Sequence, residues 1–454
     1  LGRSGYWAAK FLNSIGKKVI ILDECLNDQL LIYKNELESI GIEVYLQFPF
    51  EFNAISRWIN NLNCVILSPA IDLQNPAVIK LKNKGIKVLG EANIGWYNLQ
   101  RINWVGITGT NGKTTVTHLL SNILCQNNLN APSAGNIGTP ICKYAYDYSK
   151  SKNIDWIVAE LSSYQIEIAQ EIKPKIGIWT TFTPDHLDRH KTLENYFDIK
   201  NKLLKGSEFR IYNYDDDFLK RNYKSLAKGI WVTTDFKNTS TKDCDFWIDQ
   251  MGFIVQRGER LFKSNIIKLK GNHNMQNLLL ATAAARKIGL SANDIKNSLI
   301  NFKQLPHRFE TIYKSRSLEI INDSKATNFD SSLAGINSLN DLQIVIAGGI
   351  IKNGESNLWA RSIKEKCKGI FLYGENAQEL KEILLKDGFK EDIFKFRELR
   401  EIIPKALNYL KKRNLKILLF SPACSSFDQF KNYEDRGNSF KYYVERYFLK
   451  NNSN

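Results

Sequence analysis

The chain has 454 residues, 43% hydrophobic and 24% charged, a composition that excludes disordered and fibrous classes and a length that exceeds one ordinary core. Its formal charge is +16, from 63 Lys and Arg against 47 Asp and Glu, and no dense basic block or nucleic-acid signature accompanies it, which points to anionic small molecules and away from nucleic acid. No apolar run approaches the roughly 18 residues of a membrane span, no signal peptide is visible, and seven scattered cysteines without a C-x-x-C pair read as reduced, buried thiols of a cytoplasmic protein without a zinc site.

In chain order the pattern predicts an α/β fold of three consecutive domains. They are a Rossmann-like stretch over 1–93, a central P-loop ATPase-type stretch with a β-rich insertion over 94–304, and a Rossmann-like stretch over 305–454. Each repeats one grammar: an apolar strand, a polar or Gly-rich turn, then a helix. In open α/β sheets ligands sit beyond the carboxyl ends of the strands, so these turns are the candidate sites. In the first stretch, Gly2-Arg3-Ser4-Gly5 precedes a helical pattern and Val19-Ile20-Ile21-Leu22 ends at Asp23. That spacing reads as a dinucleotide-type fingerprint with its opening strand and first glycine cut off. The natural N-terminus is therefore expected to extend further. Val65-Ile66-Leu67 ends at Ser68-Pro69.

The second stretch carries Gly109-Thr110-Asn111-Gly112-Lys113-Thr114-Thr115, between the apolar run Trp104–Thr108 and a helix whose Val116, Leu119, Leu120, Ile123 and Leu124 share one face. Glycines at such a junction let backbone N–H groups close around phosphate oxygens, and the helix N-terminus adds positive potential. Lys113 is then expected to reach the β/γ-phosphates of a nucleoside triphosphate, with the Thr114 hydroxyl on Mg²⁺. Ile107 stands where the strict phosphate-loop pattern has its first glycine. Asp155–Ala159 runs into Glu160-Leu161-Ser162-Ser163, and Ile176–Phe182 ends at Thr183-Pro184-Asp185-His186. Glu160 and His186, read as occupying neighbouring strand ends, supply one carboxylate and one imidazole for a divalent metal. Mg²⁺ prefers oxygen ligands, so the imidazole suggests a second metal position that tolerates Mn²⁺. Residues 207–268 read as an inserted β-rich excursion, with strands near 229–234, 245–249 and 252–257. Gly271–Asn277 then opens an Ala/Leu-rich helix through Ile288.

In the third stretch, Leu318–Ile321 leads into Asn322-Asp323-Ser324-Lys325, Ile344–Ala347 into Gly348-Gly349, Ile370–Tyr373 into Gly374-Glu375, and Ile417–Phe420 into Ser421-Pro422-Ala423. The end, Asn451-Asn452-Ser453-Asn454, reads as frayed.

Thr108–Thr115, Glu160-Leu161-Ser162-Ser163, Asn274-x-x-Asn277 and Leu305-Pro306-His307-Arg308 together resemble the ATP-dependent Mur ligases. Asn322-Asp323-Ser324-Lys325-Ala326-Thr327-Asn328 and Ser421–Phe430 resemble that family's D-glutamate-adding branch. The resemblance covers nearly the whole chain. It implies an ADP-forming amide ligase of cytoplasmic peptidoglycan precursor synthesis, acting on UDP-MurNAc-L-Ala and D-glutamate through an acyl phosphate; the alternatives are another Mur ligase or a folylpolyglutamate synthetase-like enzyme. It implies catalytic Lys113, Glu160, His186 and Lys200, with two Mg²⁺ sites on Thr114, Glu160, His186 and a CO₂-derived carbamate on Lys200. Lys202 is the neighbouring alternative, and the Tyr196-x-x-x-Lys200 spacing favours Lys200. It implies that Asn277, Arg308 and Asp323 contact ATP, and that Gly2, Asp23, Ser68 and Asn136 contact the UDP-substrate. Lys325, Thr327, Lys352 and Ser426 are implied for D-glutamate, with Phe427 packed nearby. One departure is Ile350-Ile351-Lys352 after the paired glycines, where relatives often carry an acidic residue. The protein is expected to be a monomer with small-molecule substrates, bound to neither membrane nor nucleic acid.

Overall fold

The computed structural model describes residues 1–451 except 152, 236–243, 268, 270, 304 and 353. Asn452–Asn454, expected to fray, lie outside the described residues. The chain divides into two units: Leu1–Phe182 with Arg189–Lys263 and Leu278–Ile300, and Thr183–Asp188 with Ser264–Asn277 and Asn301–Asn454.

In the first unit, β1 (Ile20–Asp23) pairs in parallel with β2 (Glu43–Leu46), and β3 (Cys64–Leu67) with β4 (Lys87–Gly90), as two separate two-stranded sheets. The first helix spans Gly2–Ser14. Gly2 and Gly5 therefore lie inside it, where a turn ahead of the helix was expected. Ala8 and Phe11 of this helix bury in one cluster with Trp104, Ile157, Leu161, Trp179 and Tyr196. Each such large apolar side chain contributes about 1.5–3 kcal/mol when buried. That shared core ties the first helix to the central sheet within this unit.

The same unit holds a nine-stranded sheet. Its strands are β5 (Asn103–Thr108), β6 (Ser133–Gly135), β7 (Trp156–Glu160), β8 (Ile176–Trp179), β9 (Phe209–Asn213), β10 (Ile230–Thr233), β11 (Phe246–Ile248), β12 (Phe253–Gln256) and β13 (Glu259–Lys263). The order is β13-β12-β11-β10-β9-β8-β5-β7-β6. Pairing is parallel from β6 through β11 and antiparallel at β11–β12 and β12–β13. The predicted β-rich insertion over 207–268 continues the central sheet as its β9–β13 flank, joined where Ile211 of β9 pairs with Ile178 of β8. Strands β7 and β8 are buried throughout, as the near-continuous apolar runs of a parallel sheet covered on both faces require.

The second unit has a six-stranded sheet of β14 (Glu310–Lys314), β15 (Glu319–Asn322), β16 (Gln343–Gly348), β17 (Cys367–Tyr373), β18 (Asp392–Phe396) and β19 (Ile417–Phe420). Its order is β14-β15-β19-β16-β17-β18, parallel except at β14–β15. Apolar clusters cover both faces, one around Trp359 and Phe329, the other around Phe420 and Phe440. The α/β class stands. Of the cysteines, Cys142, Cys244, Cys367 and Cys424 are buried, whereas Cys25 and Cys125 are exposed, contrary to the expectation of uniformly buried thiols.

Candidate active site

Strand β5 lies between β7 and β8 and runs straight into the phosphate-loop sequence. Two glycines make the turn possible. At Gly109 (φ +148) a Cβ would stand 2.0 Å from Thr180 Oγ1, and Gly112 (φ +82) is the left-handed residue that caps the helix Lys113–Gln126. The end of β8 braces the loop. Thr110 N–H donates to Thr181 O (2.8 Å), Asn111 N–H donates to Thr181 Oγ1 (2.9 Å), and Thr180 Oγ1 donates to Asn111 O (2.5 Å). Thr114 opens the helix and is 7% exposed.

Lys113 Nζ donates to Gly109 O and Thr110 O, both at 2.9 Å. A second ammonium joins it: Lys200 Nζ donates to Gly109 O at 2.8 Å. Lys200 lies on the helix Leu193–Gly206, whose Tyr196, Ile199, Lys200 and Leu203 form its buried face. Its Nζ sits 4.6 Å from the Tyr196 ring centroid, and Tyr196 OH is 3.3 Å from Thr110 Oγ1. Lys202 is exposed, so the lysine that faces the loop is Lys200, as the spacing from Tyr196 indicates.

Glu160 ends β7 in register with Ile107, is 2% exposed, and accepts from Asn136 Nδ2 at 2.9 Å. The sheet order corrects one expectation: β7 and β8 are not neighbours, since β5 lies between them. His186 follows β8 in sequence and belongs to the other unit, with Glu160, Lys113 and Lys200 in the first. Its backbone is left-handed (φ +57), its N–H donates to Asp185 Oδ1 (2.9 Å), and its Nε2 lies 3.5 Å from Asp185 Oδ2. Among the described residues, no three His, Cys, Asp or Glu side chains gather as a metal cage. One carboxylate and one hydroxyl beside a phosphate loop still match Mg²⁺, which usually takes one or two carboxylates plus substrate phosphates and keeps its waters.

In the second unit the turns after β15, β16 and β19 come together. Gly348 and Gly349 (φ +149 and +124) let the chain before Lys352 lie against the 424–426 turn, where a Cβ at Gly349 would meet Ser425 O at 2.0 Å. Ile350 and Ser425 exchange backbone hydrogen bonds of 3.1 and 2.8 Å, which sets the Lys352 loop beside Ser426. Lys325 N–H donates to His307 O (3.0 Å), and its Nζ lies 3.8 Å from the Tyr433 ring centroid. Asp323 is turned inward: its carboxylate accepts from Phe309 N–H and Ser421 Oγ, both at 3.0 Å, and burial pushes it up to about 7. In this structure it therefore orders the turns around β15 and β19. His307 is 4% exposed, with Nδ1 3.1 Å from Asn322 Nδ2, and burial lowers its pKa. Asn277 is buried, 3.5 Å from Asn274 Oδ1. Burial lowers His273 to about 4, so it is neutral near pH 7.

Phe427 does not pack at this site. It is 71% exposed, and the aromatic ring that meets Lys325 is Tyr433. In the first unit, Asp23 Oδ1 accepts from Cys25 N–H (2.9 Å) and Ser68 Oγ from Ala70 N–H (3.4 Å), local turn bonds at the ends of β1 and β3. Sequence reasoning missed two groups. Arg436 is fully buried and its guanidinium donates to Ser324 Oγ (3.1 Å), Ser324 O (2.7 Å) and Cys424 O (2.9 Å), stapling two of the site turns. His190, 0% exposed, lies 2.9 Å from Ser163 Oγ and stacks on Tyr196. The Tyr433-x-x-Arg436 spacing at a helix start was the available signal for the first.

Residues 107–285 match the Mur ligase middle domain. The fold agrees: a pseudomurein peptide ligase type C from Methanothermus fervidus aligns at TM-score 0.59 and 19% identity, covering 98% of both chains. MurF ligase from Thermotoga maritima, solved in complex with ADP, aligns at 0.59 and 16% identity, covering 96% of this chain and 97% of that one. The fold is thus the one these Mur-type ligases share. Over 452 residues the chain is 60% identical to the UDP-N-acetylmuramoylalanine–D-glutamate ligase of Prochlorococcus marinus (strain MIT 9515), covering 99% of this chain and 94% of that protein. The protein of the same name from Parasynechococcus marenigrum (strain WH8102) is 39% identical over 98% of this chain and 97% of its own length. The chain belongs to the UDP-N-acetylmuramoylalanine–D-glutamate ligase family.

Proposed function

We propose that this chain joins D-glutamate to UDP-N-acetylmuramoyl-L-alanine, converting ATP to ADP and phosphate. The observation that carries this reading is the braced loop Gly109–Thr115 with Lys113, Lys200 and Glu160 around it, in a chain 60% identical to a ligase of that name. The alanyl carboxylate attacks the γ-phosphorus, ADP leaves, and an acyl phosphate forms. The D-glutamate amine then attacks the acyl carbon, phosphate leaves, and the nitrogen loses a proton. Such phosphoryl transfer depends on positioning and charge neutralisation.

In this reading the backbone N–H groups of Gly109–Thr115 cradle the phosphates, and Lys113 moves from the loop carbonyls to the transferring group. Thr114, Glu160 and His186 would hold the divalent cations, and Lys200 would join them as a carbamate, formed from its amine and CO₂ with loss of a proton. Mg²⁺ bound there would supply charge neutralisation on the phosphoryl oxygens, and Mn²⁺ would be tolerated. Asn277, Arg308 and Asp323 serve the nucleotide, Asp323 through the turns it orders. Lys325, Thr327, Lys352 and Ser426 bind D-glutamate, whose carboxylates suit paired cations and hydroxyls. Residues 1–93 take the UDP moiety, with Gly2, Asp23, Ser68 and Asn136 as contacts, 94–304 the ATP, and 305–454 the amino acid. The protein works as a cytoplasmic monomer on small molecules, and none of its described helices is long and apolar enough to cross a membrane.

The test is phosphate release with UDP-MurNAc-L-Ala, ATP and Mg²⁺ over D-Glu, L-Glu, D-Ala, L-Lys and diaminopimelate. Release stimulated by D-Glu is expected. Stimulation by another amino acid in its place moves the chain to another ligase specificity.

A further inference from the structure

Asn136 follows β6, a three-residue strand at the edge of the nine-stranded sheet. It grips Glu160 twice. Its backbone N–H donates to the Glu160 carbonyl at 2.9 Å, and its side-chain Nδ2 donates to Glu160 Oε1 at 2.9 Å. An ionised carboxylate only accepts, so the amide must present its NH₂ group to it. The approach is built into the backbone. Gly135 (φ +94) pairs in register with Glu160, and a Cβ there would stand 2.3 Å from the Glu160 carbonyl oxygen. Behind it, Gly135 N–H donates to Thr139 O at 3.1 Å and closes the loop that carries Asn136. Asn136 is exposed while Glu160 is 2% exposed, so the amide reaches inward from the surface to a buried carboxylate.

We propose that Asn136 is a positioning residue for Glu160. By holding one carboxylate oxygen and the main chain of the same residue, it sets the direction in which that carboxylate meets the divalent cation of the ATP site. The inference rests on the ligase reading of Glu160, and it gives Asn136 a task beyond contact with the UDP-substrate. Hydrogen-bond partners of metal ligands fix ligand orientation, and losing one typically costs 10–100-fold in metal affinity.

The test compares the full chain with Asn136→Ala and Asn136→Leu, the latter close in size but without a donor. Mn²⁺ binding in the presence of ADP is followed by electron paramagnetic resonance, and the Mg²⁺ dependence of phosphate release is measured alongside. Both variants are expected to weaken Mn²⁺ binding by about 10–100-fold and to raise the Mg²⁺ requirement similarly, with melting temperatures near the parent's. Unchanged Mn²⁺ binding in either variant, or in a Glu160→Gln control, overturns the proposal. So does a rise in KM for UDP-MurNAc-L-Ala with metal binding unaltered, which leaves Asn136 as a substrate contact alone. Absence of D-glutamate-dependent phosphate release in the parent chain defeats the ligase reading instead, and the Mn²⁺ measurement then still reports on the link between Asn136 and Glu160.

Discussion

Lys113 and Lys200 donate to one and the same oxygen, the carbonyl of Gly109, at 2.9 and 2.8 Å. Their ammonium groups are therefore less than about 6 Å apart, a repulsion on the order of 3 kcal/mol at an effective dielectric constant of 20. In the proposed reaction, arrival of triphosphate would relieve it by drawing Lys113 away from the carbonyl. Conversion of Lys200 to an anionic carbamate would turn the repulsion into attraction. Lys200→Ala is accordingly expected to be nearly inactive in phosphate release and partly restored by a small carboxylate such as acetate. Full activity of Lys200→Ala without added carboxylate would remove the lysine from the mechanism.

Gly109→Ala tests the loop itself. A methyl there collides with Thr180 Oγ1 and Thr181, and φ +148 is open only to glycine, so the loop must shift. Strain of this kind costs about 1–3 kcal/mol, and a displacement of about 1 Å at a reacting centre can cost 100-fold in rate. Calorimetry should show a modest fall in Tm, with kcat reduced far more than stability.

Arg436 makes three hydrogen bonds from a fully buried guanidinium to the turns that carry Lys325 and Ser426. Removing it leaves Ser324 and Cys424 carbonyls without those donors, at about 1–3 kcal/mol for each buried group left unsatisfied. Arg436→Ala should lower Tm and raise KM for D-glutamate. Arg436→Lys should recover only part of both, because an ammonium cannot reproduce the planar fork.

Phe427→Ala should leave Tm and KM for D-glutamate nearly unchanged, since the ring is 71% exposed. Tyr433→Ala should raise that KM, because it frees Lys325 Nζ from the ring it rests against. Steady-state kinetics on the two variants side by side decides between the rings.

Burial raises both Asp323 and Glu91 to about 7, against about 4 in an unfolded chain. Between those values the folded chain holds the extra protons. The contribution of these two carboxyls is therefore greatest on the acid side, declines as pH rises from about 4 to about 7, and levels off above, while His273, lowered to about 4, contributes with the opposite slope. Urea midpoints measured across that range should show the margin of the parent over Asp323→Asn shrinking as pH rises from about 4 to about 7. A margin that stays constant or grows over that range would contradict this burial.

The phosphate loop and the strand-ending Glu160 were legible in the residues, because glycine spacing, apolar runs and helical periodicity are local properties, and the branch motifs of the third stretch were legible through their family resemblance. The family resemblance, with the Tyr196-x-x-x-Lys200 spacing, chose Lys200 over Lys202, and the structure then placed Lys200 on the buried side of its helix. Burial and register were not local. Only the sheet order shows β5 between the strands that carry Glu160 and precede His186, and only packing turns Phe427 outward, Asp323 inward and Arg436 into the core. The chain's own order likewise hid the continuity of β9–β13 with the central sheet, for pairing joins strands whose separation in sequence says nothing of their neighbours. Residue type and spacing by themselves determined the nucleotide-type loop and, through a family resemblance, the ligase family to which the chain belongs. The tertiary structure decided which groups orient that chemistry, because hydrogen-bond partners such as Asn136 and Glu160, 24 residues apart, are chosen by proximity in space.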